Sequence, residues 1–381
     1  MKARSSEATK EFLKIARDRF HQGQEARHNQ IKRELDDLAF YAGGEHQWKP
    51  EVLRARRAQE ATSGMPPVPA RPVITINKAR EPVHQVLNQE RQSDIGIELV
   101  AADDFGELVG PIDDTEIKLR EGLVRRIQRD SEAADARTWA FMRAVICGTG
   151  YYVVRTRYAA GKTWNKELFV SRLFNQASVT LDPAHEQPDG CDAEWGFIGA
   201  DMPWAQYKAD HPRAADGRTN SIAKADDAEF RALGEAYPGW FTTEGETRSA
   251  RVVEYFYTER EERTLVLLAN GESAWKDELP EDTDEGAIQD ERDVIQKTIK
   301  WAKIDATQIL EETDWEGPDL PIVKVLGEEL QPFDKERRAE GMVRPMRDPG
   351  ESFNVMVSKW LESIGYAPIP PFQLAEGQQS G

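Results

Sequence analysis

The sequence predicts an α+β chain in which helices come first, strands follow and one amphipathic helix closes the order. Three observations carry that prediction. Between Glu7 and Ile146 apolar residues recur at three to four residue spacing, the period of a helix with one buried face. From Tyr151 onward the period changes to two, in segments rich in aromatic and β-branched residues. Finally, Phe353, Met356, Val357, Trp360, Leu361 and Ile364 fall at i, i+3, i+4, i+7, i+8 and i+11, a single-face stripe.

The first helical stretch, Glu7 to about Phe40, carries Phe12, Ile15, Ala16 and Phe20 and then Ile31, Leu35 and Leu38, with Gly23 expected to divide it in two. Gly43-Gly44 closes it, and the Pro-rich 61–72 is a connector without regular structure. The next segment, RPVITINKAREPVHQVLNQERQ (71–92), predicts a short strand, Val73 to Ile76, leading into a helix that starts near Asn77 or Glu81 and tolerates Pro82 in its first turn. Val83, Val86 and Leu87 form the apolar stripe of that helix, and Arg80, His84, Glu90 and Arg91 its polar side. Two more helices follow, Asp113 to Arg129 and Ser131 to Ile146, the second stopped by Gly148 and Gly150.

Tyr151 to Arg157 and Leu168 to Leu173 then read as a hairpin, followed by strands at Val179 to Leu181, Trp195 to Ile198, Val252 to Tyr257 and Leu265 to Leu268. Residues 205–249 are polar and read as helical insertions and loops. Asp277 to Asp293 holds nine acidic residues and one Arg; after it, KTIKWAKI (Lys297 to Ile304), Gln308 to Leu310 and Leu320 to Leu326 are strand-like. The final helix is expected to begin at Pro349 and to stop at YAPIPP.

Bulk composition narrows the function. A chain of 381 residues with 39% hydrophobic content buries a sizeable core, in two or three domains. No run approaches the ~20 apolar residues of a membrane helix, and MKARSSEATKEF lacks a signal peptide's apolar core, so the expected birthplace is the cytosol. A net charge of -18 disfavours tight binding to DNA, because phosphate binding rests on clustered Lys and Arg that release counterions.

The motifs of catalysis are missing. Gly161-Lys162-Thr163 has Thr156 where a phosphate loop needs its first Gly, and it joins two strands instead of entering a helix. Gly148-Thr149-Gly150 lacks the third glycine of a dinucleotide fingerprint. The six His residues never reach a ligand spacing, Cys147 and Cys191 form no CxxC, and Asp282, Asp284 and Glu285 are out of register for a calcium loop. The expectation is a structural protein with no catalytic residues, no metal and no cofactor.

Several stretches in series resemble the portal proteins of tailed bacteriophages, the short-tailed (podovirus) type in particular. They are the 71–92 segment; AFMRAVICGTGYYVVRTRY (140–158); VTLDPAHEQPDGCDAEW (179–195); RVVEYFY (251–257); IKWAKIDATQILEE (299–312); and LPIVKVLGEEL with GMVRPMRDPGESFNVMVSKWLESI, within 320–364. The resemblance covers about residues 40–365. It implies a ring-forming subunit, a dodecamer in the family, at one capsid vertex of the virion, assembled in the host cytoplasm. Through the ring double-stranded DNA is packaged and ejected without sequence readout, and on it dock the terminase large subunit and the capsid, scaffold and head-completion proteins.

By element order the resemblance implies a wing over residues 1–275, with N-terminal helices at 7–147 and a mostly β region at 150–275. Stem helices would lie at 276–296 and 341–364, with a small strand-rich clip, 297–340, inserted between them, and 365–381 leading into a channel loop. Lys300, Trp301 and Lys303 would face a docking partner from the clip. Phe353, Met356, Val357, Trp360, Leu361 and Ile364 would pack against neighbouring subunits, as a helix stripe buried only in a ring should. An acidic conduit lets DNA slide where a basic one would hold it. Family members continue past this point into a crown, so the sequence reads as a truncated gene, a fragment or a split subunit. Two other classes compete: a DNA-handling nuclease or ATPase, which needs a phosphate loop or a metal-binding carboxylate cluster, and another virion scaffold or adaptor.

Overall fold

The apolar stripe of the N-terminal segment winds into one helix, α1 (Ser6–Ala42). A computed structural model describes residues 6–57, 70–93, 96–99, 114–216, 230–233, 235, 249–268, 271, 273–279, 288–334 and 336–365. Gly23 does not divide α1. A Cβ there would come within 2.5 Å of Thr180 Cγ2 and 3.0 Å of Trp195, so the glycine lets the helix lie close on the sheet. One interior glycine costs only about 1 kcal/mol, less than the burial of Phe12, Ala16 and Phe20 on the same face contributes.

After a single 3-10 turn, Gly44–Gln47, come α2 (Pro50–Arg56), α3 (Arg80–Gln92), α4 (Asp114–Asp130) and α5 (Ala133–Cys147). Helix α5 ends at Gly148, whose φ of 99° and bond from its N–H to the Ala144 carbonyl make the left-handed cap that the sequence predicts. The chain then enters the hairpin β1 (Thr149–Tyr158) and β2 (Lys166–Arg172), with Tyr158 opposite Lys166, which leaves Gly161-Lys162-Thr163 in the hairpin loop.

Strands β3 (Val179–Leu181), β4 (Trp195–Pro203), β5 (Ser249–Leu268), β6 (Ser273–Trp275), β7 (Ile288–Ile304) and β8 (Ile309–Trp315) build a six-stranded antiparallel sheet in the order β3-β4-β5-β7-β8, with β6 on β5. Two short helices, α6 (Trp204–Asp210) and α7 (Pro212–Asp216), follow β4. Strand β9 (Ile322–Leu326) joins β1 to give a three-stranded sheet β2-β1-β9. A small pair, β10 (Glu328–Leu330) and β11 (Arg338–Glu340), leads to α8 (Val343–Gly365).

Alternation along β5 decides what each sheet face buries. Tyr255 and Tyr257 face α1, where Phe12, Phe20, Trp195 and Phe197 complete an aromatic core; Phe197 and Tyr255 stack at 4.4 Å. Phe256 points the other way, into a core shared with Tyr151, Val153 and Ile322 of the three-stranded sheet. A third core, Phe40, Val83, Leu87, Val145, Ile146 and Val343, fastens α1, α3, α5 and α8 together. A buried carboxylate, Glu34, ties α1 to the chain at the end of α5: it accepts from Thr149 Oγ1 at 2.7 Å and Arg143 at 3.1 Å, with Arg27 at 3.6 Å.

The structure corrects several expectations. Residues 288–296, expected in a first stem helix, are strand: Asp290 to Gln296 pair residue by residue with Leu267 to Glu261 of β5. Their Asp, Glu and Gln content favours no strand locally, and the ladder overrides it. Of the rest of 276–296, Lys276–Glu278 form a 3-10 turn and 280–287 lie outside the described residues.

Nor is 297–340 a separate unit. Its strands β7 and β8 belong to the large sheet and β9 to the sheet of β1, because their apolar residues complete cores begun by Tyr151 and Tyr255. Val73 to Ile76 is extended without a strand partner. The final helix begins at Val343, six residues before Pro349, because burial of Val343 and ion pairs from Arg344 and Arg347 hold its first turns. Among the described residues no helix is long and apolar enough to cross a membrane.

Candidate functional site

Two sides of α8 are chemically distinct, and the structure docks the polar one. Asn354 and Ser358, one turn apart, are both 0% exposed. They replace the missing strand partner of the extended 71–78 segment. Ile76 N–H donates to Asn354 Oδ1 at 2.9 Å, Ile74 N–H donates to Ser358 Oγ at 3.0 Å, and Ser358 Oγ returns a bond to the Ile74 carbonyl at 3.4 Å. Buried backbone groups need partners, and here a helix supplies them from side chains spaced i, i+4.

The same edge of α8 is closed by charge. Arg56 donates to Glu362 at 2.8 Å, with Arg71 3.7 Å from that carboxylate. At the other end Arg344 reaches Asp37 at 3.1 Å and the Arg33 carbonyl at 2.6 Å, while Arg347 lies 3.6 Å from Asp36 and 3.8 Å from Asp37. Burial pushes the Asp37 carboxyl up to about 6, against the pull of both arginines. Gly350 approaches Phe40 so closely that an added Cβ would lie 2.8 Å from its ring. Residues 33–57 and 71–78 thus form a cradle for α8.

The apolar stripe points elsewhere, roughly 130° around the helix at 100° per residue. Met356 is 69% exposed, Trp360 65% and Ile364 53%. Phe353 and Leu361 are less exposed, with Lys78 Nζ 6.0 Å from the Phe353 ring centre, and Val357 is half-buried. All six residues that the sequence assigns to a subunit contact therefore lie on one helix, and five of them are exposed. Burial of such side chains is worth roughly 1.5 to 3 kcal/mol each, a stabilisation that this stripe does not draw from its own chain.

Lys300, Trp301 and Lys303 are not brought to a protruding tip. They lie in β7, in mid-sheet, between β5 and β8. Trp301 packs against the second core, and Lys300 pairs with Glu259. Burial alone would lower the Lys300 pKa; Glu259, Asp314 and Glu312 outweigh it and raise it. Arg80, from the polar side of α3, donates to the last carbonyls of α1, Tyr41 and Ala42, within the chain. Cys147 is buried and Cys191 half-buried, both as free thiols.

A second feature that the sequence divides wrongly is the β5–β7 ribbon. Beyond Tyr257 on one strand and Ile299 on the other, β4 and β8 stop, yet β5 and β7 stay paired to Leu268 and Ile288. At about 3.4 Å per residue this ribbon extends roughly 35 Å. Its exposed charges are acidic in excess, Glu261, Glu262, Asp290, Glu291 and Asp293 against Arg260, Arg292 and Lys297.

Sequence reasoning found the apolar face of α8 and missed Asn354, Ser358, Arg344, Arg347 and Asp37, which aim it. The signal was present: Asn354 and Ser358 interrupt an apolar helix at i, i+4, the spacing of a second face.

Comparison with curated proteins finds no match for the chain. A family model does: that of the phage P22-like portal protein matches residues 17–381, nearly the whole length. That family is a structural component of the bacteriophage virion. The chain belongs to the P22-like phage portal protein family.

Proposed function

We propose that this chain is a portal subunit that closes into a ring at one capsid vertex, dodecameric as the family resemblance implies, and forms the conduit for DNA packaging and ejection. The terminase large subunit and the head-completion proteins dock on that ring. The observation that carries the reading is α8, which buries Asn354 and Ser358 and leaves Met356, Trp360 and Ile364 open. A helix with this distribution is positioned by its own subunit and covered by the next. In a ring every copy offers one face and receives another, so an exposed stripe on each subunit is a requirement of closure.

Charge supports passage of DNA as opposed to capture. The net charge of -18 and the acidic ribbon repel phosphate, and a duplex that must move cannot be held by many salt-dependent contacts.

Electron microscopy of the purified chain tests the assembly. End-on rings with a stain-filled centre are expected, and Trp360→Ser with Met356→Ser should give monomers of unchanged secondary structure. Rings that survive both substitutions would remove α8 from the interface.

A further inference from the structure

We propose that His185 and Lys324 form an acid-sensitive latch that fastens the 182–193 loop to strand β9. The loop connects β3 to β4 and lies against the edge of the three-stranded sheet, where Lys324 N–H donates to the Asp189 carbonyl at 3.0 Å. Both side chains of the pair are buried. His185 Nδ1 lies 2.5 Å from the Asp182 carbonyl, and its Nε2 lies 3.1 Å from Lys324 Nζ.

Those two contacts fix the tautomer. A carbonyl only accepts, so Nδ1 carries the proton and donates to Asp182. Nε2 then presents its lone pair to the Lys324 ammonium. Adding a second proton to the ring puts N–H against N–H₃⁺ at that distance, and the hydrogen bond becomes a contact between two cations.

The surroundings offer little relief. Arg27 of α1 and Arg337, just before β11, add positive charge to the same pocket. The nearby carboxylates are already engaged. Glu34 accepts from Thr149 and Arg143, Glu329 is bonded to Arg337 at 2.6 Å, and Asp192 accepts from the Glu186 and Gln187 amides. Burial and the Lys324 charge hold the His185 pKa below its ordinary value, and burial brings Lys324 down to about 8.

The sign follows. With its folded pKa depressed, neutral His185 is the form the fold keeps. Its share of stability is intact above the unfolded histidine's titration and is lost as pH falls through that range. What loosens is specific, because Arg337 also donates to the His185 carbonyl. The latch therefore joins the loop, β9 and the β10–β11 pair that leads into α8.

The test is amide hydrogen exchange on the full chain at about pH 7.5 and about pH 5, corrected for intrinsic rates, read at Lys324 and across 184–193. In the wild type, protection is expected to fall about tenfold per pH unit below the histidine's titration. His185→Gln keeps an acceptor for Lys324 and cannot take the proton, so its protection is expected to stay flat. Lys324→Met removes the second cation and is expected to flatten the profile by a different route. Asp37→Asn, at the α1–α8 contact, should leave the loop's pH response unchanged. An equal fall in the wild type and in whichever of the first two variants folds would overturn the latch.

Discussion

Helices α1 and α8 have the same kind of sequence and opposite fates. Each is long and carries an apolar stripe at helical spacing. In α1 that stripe is inside the subunit, with Phe12 and Phe20 against Phe197, Tyr255 and Tyr257. In α8 the stripe is outside and a polar edge is docked. The difference teaches that amphipathicity specifies a face to be covered and leaves open what covers it. For α1 the cover is a sheet of the same chain; for α8 we assign it to the next copy.

The contrast is broken most decisively by truncating the two stripes. Phe20→Ala should cost about 3 to 5 kcal/mol in denaturant unfolding, since it empties a packed aromatic site. Trp360→Ala should cost less than about 1 kcal/mol in the isolated subunit, as an exposed residue does, yet abolish oligomers by sedimentation. Equal destabilisation by both would show that α8 is core.

Glu34→Ala sharpens the account of α1. It leaves the half-buried Arg143 and Arg27 without their buried carboxylate partner, and a loss of about 3 kcal/mol is expected by chemical denaturation. Glu34→Gln should lose less, because it still accepts from Thr149.

A pH series probes how α8 is held. The Asp37 carboxyl, near 6 in the fold, lies above its unfolded value, so the folded state favours the protonated form. Its contribution is fully present below the unfolded pKa and is lost as pH rises through about 6, by about 3 kcal/mol at most. Stability of the wild type relative to Asp37→Asn should therefore decline between about pH 4 and about pH 6, then level off. A difference that grows over that range would mean the Arg344 and Arg347 pairs outweigh burial.

Asn354→Leu, near in size and unable to bond the Ile76 amide, should cost about 1 to 3 kcal/mol. Faster exchange confined to the Ile76 amide would localise it.

How much of this was legible beforehand depends on the range over which each signal acts. The stripe of Phe353 to Ile364 and the Gly148 stop are local patterns, set by backbone period and by a φ that only glycine adopts readily, and both lie where the sequence puts them. The hairpin of β1 and β2 was legible for the same reason. Asp290 to Gln296 was not: its acidic composition reads as helix or solvated run, and only the facing Glu261 to Leu267 makes it a strand. The portal resemblance was readable from an ordered series of segments, while its division into stem and clip at 276–340 did not survive contact with the sheets.

The sequence by itself determined periods, stops and the identity of the apolar face on α8, because those follow from 3.6 and 2.0 residue repeats and from side-chain chemistry at short range. The tertiary structure alone decided which face of α8 is buried, that β7 runs from Ile288 to Ile304, and that His185 meets Lys324. Each of these is a pairing of residues distant in sequence. Backbone hydrogen bonds and desolvated charges are satisfied by whichever partner the fold delivers, and no local pattern encodes that partner.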